Sequence, residues 1–147
     1  MTDALIQIFT GFIGSCGFAL LYNIRGIRFW FAGLGGLLSW SFYLTLNTFI
    51  PNEFLCYFIV AVLISVYAEI MARFLKTPTT TFIMTSLIPL VPGSALYYTM
   101  THAFSGNVQG FIEKGIQTVG LAGALAAGII TVAGFMRLIL QKNSDKK

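Results

Sequence analysis

The sequence predicts an all-α integral membrane protein with about five transmembrane segments, and two observations carry that prediction. Charged residues are 10% of the 147 residues and hydrophobic ones 56%, with a mean hydropathy of +0.81, whereas a soluble domain devotes about a quarter of its residues to charge. The apolar residues also run on in stretches near the ~20 residues that cross hydrocarbon. Too few charges remain to solvate a surface, so lipid is the solvent for most side chains.

Five segments follow, at residues 4–22, 29–50, 54–75, 77–102 and 109–140, with a polar tail at 141–147. The first two carry no charge, and the third is apolar apart from Glu69 and Arg73. The fourth is uncharged but interrupted by proline, and the fifth is uncharged from Gly115 as far as Arg137. No basic stretch or small-residue cleavage site marks the first segment as a removable signal, so it is expected to be retained. The connections are short, which predicts one membrane domain without a soluble module. Cys16 and Cys56 fall inside segments without metal-like spacing and read as packing residues.

Arg25, Arg28, Arg73, Lys76, Arg137, Lys142, Lys146 and Lys147 end or follow the odd-numbered segments, leaving only Lys114 elsewhere among the nine basic residues. Asp3, Glu53 and Glu113 occupy the opposite connections. Basic residues are retained on the cytoplasmic side, which puts the N-terminus outside and the C-terminus inside a cytoplasmic membrane. The pI near 9.3 then reports topology and contact with anionic lipid. It does not point to nucleic acid, for which there is no soluble basic face.

The most informative stretch runs from Lys76 to Met100. Pro78 is suited to open a helix, where its missing N–H costs nothing. Pro89 cannot continue that helix without losing a backbone bond. Pro92 can start a second helix, and Gly93 permits backbone angles or a close approach that other residues resist. Two half-helices are therefore expected to meet at residues 89–93, deep in the membrane. Such a break must be shielded by protein or line a wet cavity. The N-terminus of a half-helix suits a carboxylate. Thr80, Thr81, Thr85, Ser86 and Ser94 crowd the same element and are candidates to line a substrate site with Pro89, Pro92 and Gly93. The same hydroxyls could instead repair a proline kink.

Glu69 and Arg73 stand four apart on one helix face. They are candidates for proton or ion coupling, with a structural ion pair as the alternative. Small residues recur at spacings of four in Gly120, Ala124, Gly128 and in Gly123, Ala127, which lets helix backbones approach inside the subunit or against a partner. No Ser–His–Asp set, phosphate-cradling lysine motif or metal-ligand cluster is present, so an enzyme is not expected, and neither a metal nor a cofactor.

The run Ile88-Pro-Leu-Val-Pro-Gly-Ser-Ala-Leu-Tyr, preceded by Lys76-Thr-Pro-Thr-Thr, resembles the membrane domain of the threonine/serine exporter family. The similarity is to the short-subunit, second-domain type. Gly17-Phe-Ala with Tyr22-Asn23, Gly35-Gly36 leading to Ser39-Trp40, and Ala68-Glu69 with Ala72-Arg73 agree with it across nearly the whole chain. Ser94 departs from the pattern, which often has another glycine there. The resemblance implies an inner-membrane exporter that works with a larger companion subunit. Its solute would be threonine and serine or, in related two-component systems, a dicarboxylate such as succinate, driven by proton-motive force. A non-transporting scaffold or assembly subunit, and a homo-oligomeric small-solute channel, stay open at this level.

Overall fold

The computed structural model describes residues 2–144, with side chains described over residues 3–138. Six α-helices follow in order: α1 Thr2–Leu21, α2 Ile27–Phe49, α3 Glu53–Leu75, α4 Thr79–Ser86, α5 Gly93–Phe104 and α6 Val108–Ser144. A single 3₁₀ turn, Ile88–Leu90, separates α4 from α5. The described residues form no strand. Four helices are long and apolar enough to span a bilayer, and α4 with the 3₁₀ turn and α5 makes a fifth candidate, bent by 43°.

The helix ends follow from local chemistry. Asn23 and Lys76 adopt left-handed φ values of 56° and 51°. In each case the next amide reaches back five residues, Ile24 to the Ala19 carbonyl and Thr77 to the Ala72 carbonyl, at 2.9 Å. These are Schellman-type stops, and asparagine tolerates that conformation better than most residues. Asn52 caps α3 by accepting from the Leu55 amide at 3.2 Å.

Side-chain registers give the direction of each helix. α1 and α2 run antiparallel, with Cys16 against Gly33, Ser15 against Gly36, and Trp40 near Gly11. α2 and α3 do the same, the Tyr67 hydroxyl donating to the Phe31 carbonyl at 2.7 Å and Tyr57 stacking edge-on against Tyr43. α5 and α6 form an antiparallel hairpin closed by Thr99 and Thr118 at 3.1 Å and by His102 against Gly110. By contrast α3 and α6 run parallel. Gly120 receives the Phe54 ring and Gly128 receives Ala61, each so closely that an added methyl would sit 2.6 Å away. A chain that leaves α3 and returns in the same direction in α6 must cross back between them. The bent α4–α5 pair is therefore one traversal.

These directions gather Arg25, Arg28, Arg73, Lys76 and Arg137 at one end, the basic end. Asp3, Glu53, Glu113 and Lys114 lie at the other. Most of the helical surface faces outward: Phe49 and Phe74 are 78% and 77% exposed, as suits side chains dissolved in lipid. α6 is about 55 Å long at 1.5 Å per residue, well beyond the ~30 Å of hydrocarbon. Its first two turns extend past the start of α3, where Gln117 donates to Glu53 at 3.0 Å.

Within the polar tail at 141–147, α6 continues through Ser144. Gln141 and Lys142 are good helix formers, so polarity ends the apolar stretch without ending the helix. Residues 145–147, including Lys146 and Lys147, lie outside the described residues.

A discriminating test of this packing compares two glycines of α6. Gly128→Ala should destabilise the folded protein by about 1–3 kcal/mol through overpacking against α3. Gly123→Ala, where an added methyl meets nothing within 4 Å, should be neutral or mildly stabilising, read by denaturant unfolding in detergent micelles.

Candidate functional site

The break begins earlier than its prolines alone suggest. α4 ends at Ser86 because Pro89 would clash with the Thr85 carbonyl, and Val91, the residue before Pro92, leaves helical angles at φ −58° and ψ 126°. The chain then tightens: Leu90 N–H donates to Leu87 at 2.9 Å, Val91 to Ile88 at 3.2 Å, and Gly93 to Val91 at 2.6 Å. Pro92 precedes the first residue of α5 and its carbonyl accepts from Leu96 at 3.0 Å. Leu90 is fully buried among Tyr57, Val60, Ile64 and Leu121, which anchors the turn inside the bundle.

On one side the turn opens onto a cleft. Pro89 lies against Gly11, near the middle of α1, and the two help line a cavity of about 300 Å³ with Gln7, Thr10, Gly14 and Trp40. The Trp40 indole N–H donates to Gln7 Oε1 at 3.2 Å. That bond uses the amide oxygen of Gln7 and leaves its NH₂ group free of any partner among the described residues. The Thr10 hydroxyl is turned back to the Ile6 carbonyl. Gln7, Thr10 and Trp40 were not among the residues singled out from sequence. The visible signal was a lone glutamine inside a first segment whose other interior polar side chains are the small Thr10, Ser15 and Cys16.

The residues expected to line the site are distributed over three places. Pro89 is in the cleft just described. Thr80 and Thr81 line a second cavity of about 320 Å³ nearer the basic end, with Tyr22, Ile24 and Met84. Neither threonine hydroxyl enters a hydrogen bond among the described residues. Thr85 and Ser86 are fully buried and face inward. The Thr85 hydroxyl donates to the carbonyls of Thr81 and Phe82 at 3.0 and 3.3 Å, the back-bond to its own helix that threonines make elsewhere in the bundle. Ser86 fits into the notch of Gly35 on α2, and its hydroxyl has no partner among the described residues. Gly93 and Ser94 are exposed at the start of α5. Gly93 has no left-handed φ, and an added methyl there would meet nothing within 4 Å, so neither property expected of it is needed within this chain.

Glu69 and Arg73 meet as their spacing implies. Arg73 donates to Glu69 Oε1 through Nη2 at 2.8 Å and Nε at 3.1 Å. A third partner was not foreseen: Thr79 Oγ1 donates to Glu69 Oε2 at 2.7 Å. The carboxylate thereby ties the end of α3 to the first turn of α4. The pair lies at the basic end, with the Arg73 side chain 46% and the Glu69 side chain 17% exposed. It is well away from the cleft at Pro89.

A bundle of lipid-facing helices with one broken traversal defines a multi-pass integral membrane protein. A family model described as "Threonine/Serine exporter, ThrE" matches residues 7–135. The chain belongs to that family, and it is a membrane transport protein. Comparison with curated proteins and with solved structures gives no match.

The Ser86–Gly35 contact has a measurable consequence. Gly35→Ala should cost about 1–3 kcal/mol of stability by displacing Ser86. Combining it with Ser86→Gly should recover part of that loss, a coupling that a double-mutant cycle reads directly.

Proposed function

We propose that this chain is one subunit of a secondary transporter that exports small carboxylate-bearing metabolites, threonine and serine or a dicarboxylate such as succinate, across the cytoplasmic membrane. The observation that carries the reading is the break at residues 87–92, which leaves a helical traversal open in mid-membrane beside a cleft holding a free amide NH₂ group. A carboxylate is the natural acceptor for such a donor. A scaffold has no use for a discontinuity that exposes backbone to hydrocarbon.

A larger companion subunit completes the transporter in this reading. The cleft at Pro89 is open on one side, and a bundle this small encloses no full solute path. The basic end faces the cytoplasm, in keeping with the retention of Arg and Lys there, with the start of α1 outside. Thr80, Thr81 and Pro89 contribute to solute contact. Pro92 and Gly93 shape the start of α5, with Ser94 on its exposed face. Thr85 and Ser86 support the break from behind. Glu69 and Arg73 serve first as a structural clamp with Thr79, and protonation of Glu69 would release that clamp.

The test is efflux of radiolabelled threonine, serine and succinate from cells expressing this chain alone, its companion alone, and both. Solute-specific efflux only with both is the expected result. Efflux from this chain alone would support a homo-oligomeric channel instead, and none in any arm would overturn export of these solutes. In the active pair, Pro92→Ala should lower efflux at unchanged membrane abundance, and wild-type efflux would remove the break from the mechanism.

A further inference from the structure

We infer that the α1–α4 face is one wall of a solute path, and that Met84 is the partition dividing it into two clefts reached from opposite sides of the membrane. The inference rests on the transporter reading above and adds to it the route and its barrier.

The two clefts are in line. On α1, Gln7, Gly11, Gly14, Phe18 and Tyr22 follow one another at spacings of three and four and so share a single stripe. Gln7, Gly11 and Gly14 line the cleft at Pro89, and Tyr22 lines the cleft toward the basic end. On the opposing element Thr80, Met84 and Ile88 are spaced by four. Thr80 and Met84 belong to the cleft toward the basic end and Ile88 to the other. The clefts are thus separated on this side by a single helical turn, about 5.4 Å. α1 packs closely along α2 but only lightly on α4, which is why the seam between α1 and α4 is left open.

The chemistry changes along this seam in the order a path requires. Free donors stand at both ends, the Gln7 amide in one cleft and the Thr80 and Thr81 hydroxyls in the other. Each cleft, at about 300 and 320 Å³, is at the small end of the roughly 300–1,000 Å³ typical of ligand sites. Between them Met84 is 56% exposed, and it belongs to neither buried cluster of the core. A long, unbranched thioether is a side chain that re-packs readily. On α1 the register that sets Gly11 against Pro89 and Tyr22 beside Thr80 puts Phe18, which lines neither cleft, opposite it. Left to lipid, the hydroxyls and the amide would be dissolved in hydrocarbon without partners, which is costly. A water-filled path carrying a carboxylate-bearing solute gives them partners, with the companion subunit as the facing wall.

Cysteine accessibility tests this in cells expressing the chain with its companion, in a background lacking Cys16 and Cys56. Single cysteines at Gly14→Cys and Thr81→Cys are exposed to a small membrane-impermeant thiosulfonate from each side in turn. Because hydrocarbon excludes water, each should react about tenfold faster than the lipid-facing control Ile130→Cys, and from opposite sides. Adding Met84→Ala should let the reagent reach both positions from either side, whereas Met84→Leu should preserve the sidedness. Reaction at both positions as slow as at Ile130→Cys, or sidedness unchanged by Met84→Ala, would overturn the inference. Sided labelling in a pair that moves no tested solute would support the path while overturning the proposed export.

Discussion

The cost of leaving backbone N–H and C=O groups unpaired in hydrocarbon governs this structure more than any other term. Proline at 89 removes one donor and obstructs another carbonyl, so a continuous fourth helix is unavailable to this sequence. Each nearby feature answers that deficit. The 3₁₀ turn pairs the amides of Leu90 and Val91 locally. Buried Leu90 holds the turn against α3 and α6, so the break is shielded on one face and open on the other. That asymmetry is what makes it a candidate site rather than a kink.

Close packing supplies the second device. On α2 the neighbouring glycines 35 and 36 each receive a serine hydroxyl, Ser86 from α4 and Ser15 from α1. Neither hydroxyl has a conventional partner among the described residues. Resting on a glycine Cα, each can accept a weak C–H···O contact, a geometry that recurs at helix interfaces. α2 thereby fixes α1 and α4 at once, and it sets the distance between the two helices that border both clefts.

Much of the fold was legible from composition alone. Lipid-facing helices need only length and apolarity, so the traversals and the broken fourth segment are readable without tertiary information. The site was less so. Within the Thr79–Ser86 helix, hydroxyls a few residues apart point to different environments: Thr79 to Glu69, Thr80 and Thr81 to a cleft, Thr85 to its own backbone, and Ser86 to a glycine. Sequence shows that hydroxyls cluster there, but the face each takes depends on which neighbour α4 meets. Gln7 and Trp40 stayed hidden for the same reason, since they are 33 residues apart and come together only through the α1–α2 register. Gly93 is the reverse case, where a glycine beside a proline suggested special backbone angles or a close approach and Gly93 itself has neither a left-handed φ nor a neighbour within 4 Å.

The parallel run of α3 and α6 has an architectural consequence. An odd number of traversals leaves α1 starting on one membrane face and α6 finishing on the other. Any unit of the same design joined directly to the end of α6 would begin where this one ends and would therefore lie upside down beside it. The parity of the bundle thus makes antiparallel pseudo-symmetry the default outcome of tandem fusion. A same-way-up pair is reached instead by two separate polypeptides, or by a linker that itself crosses the membrane.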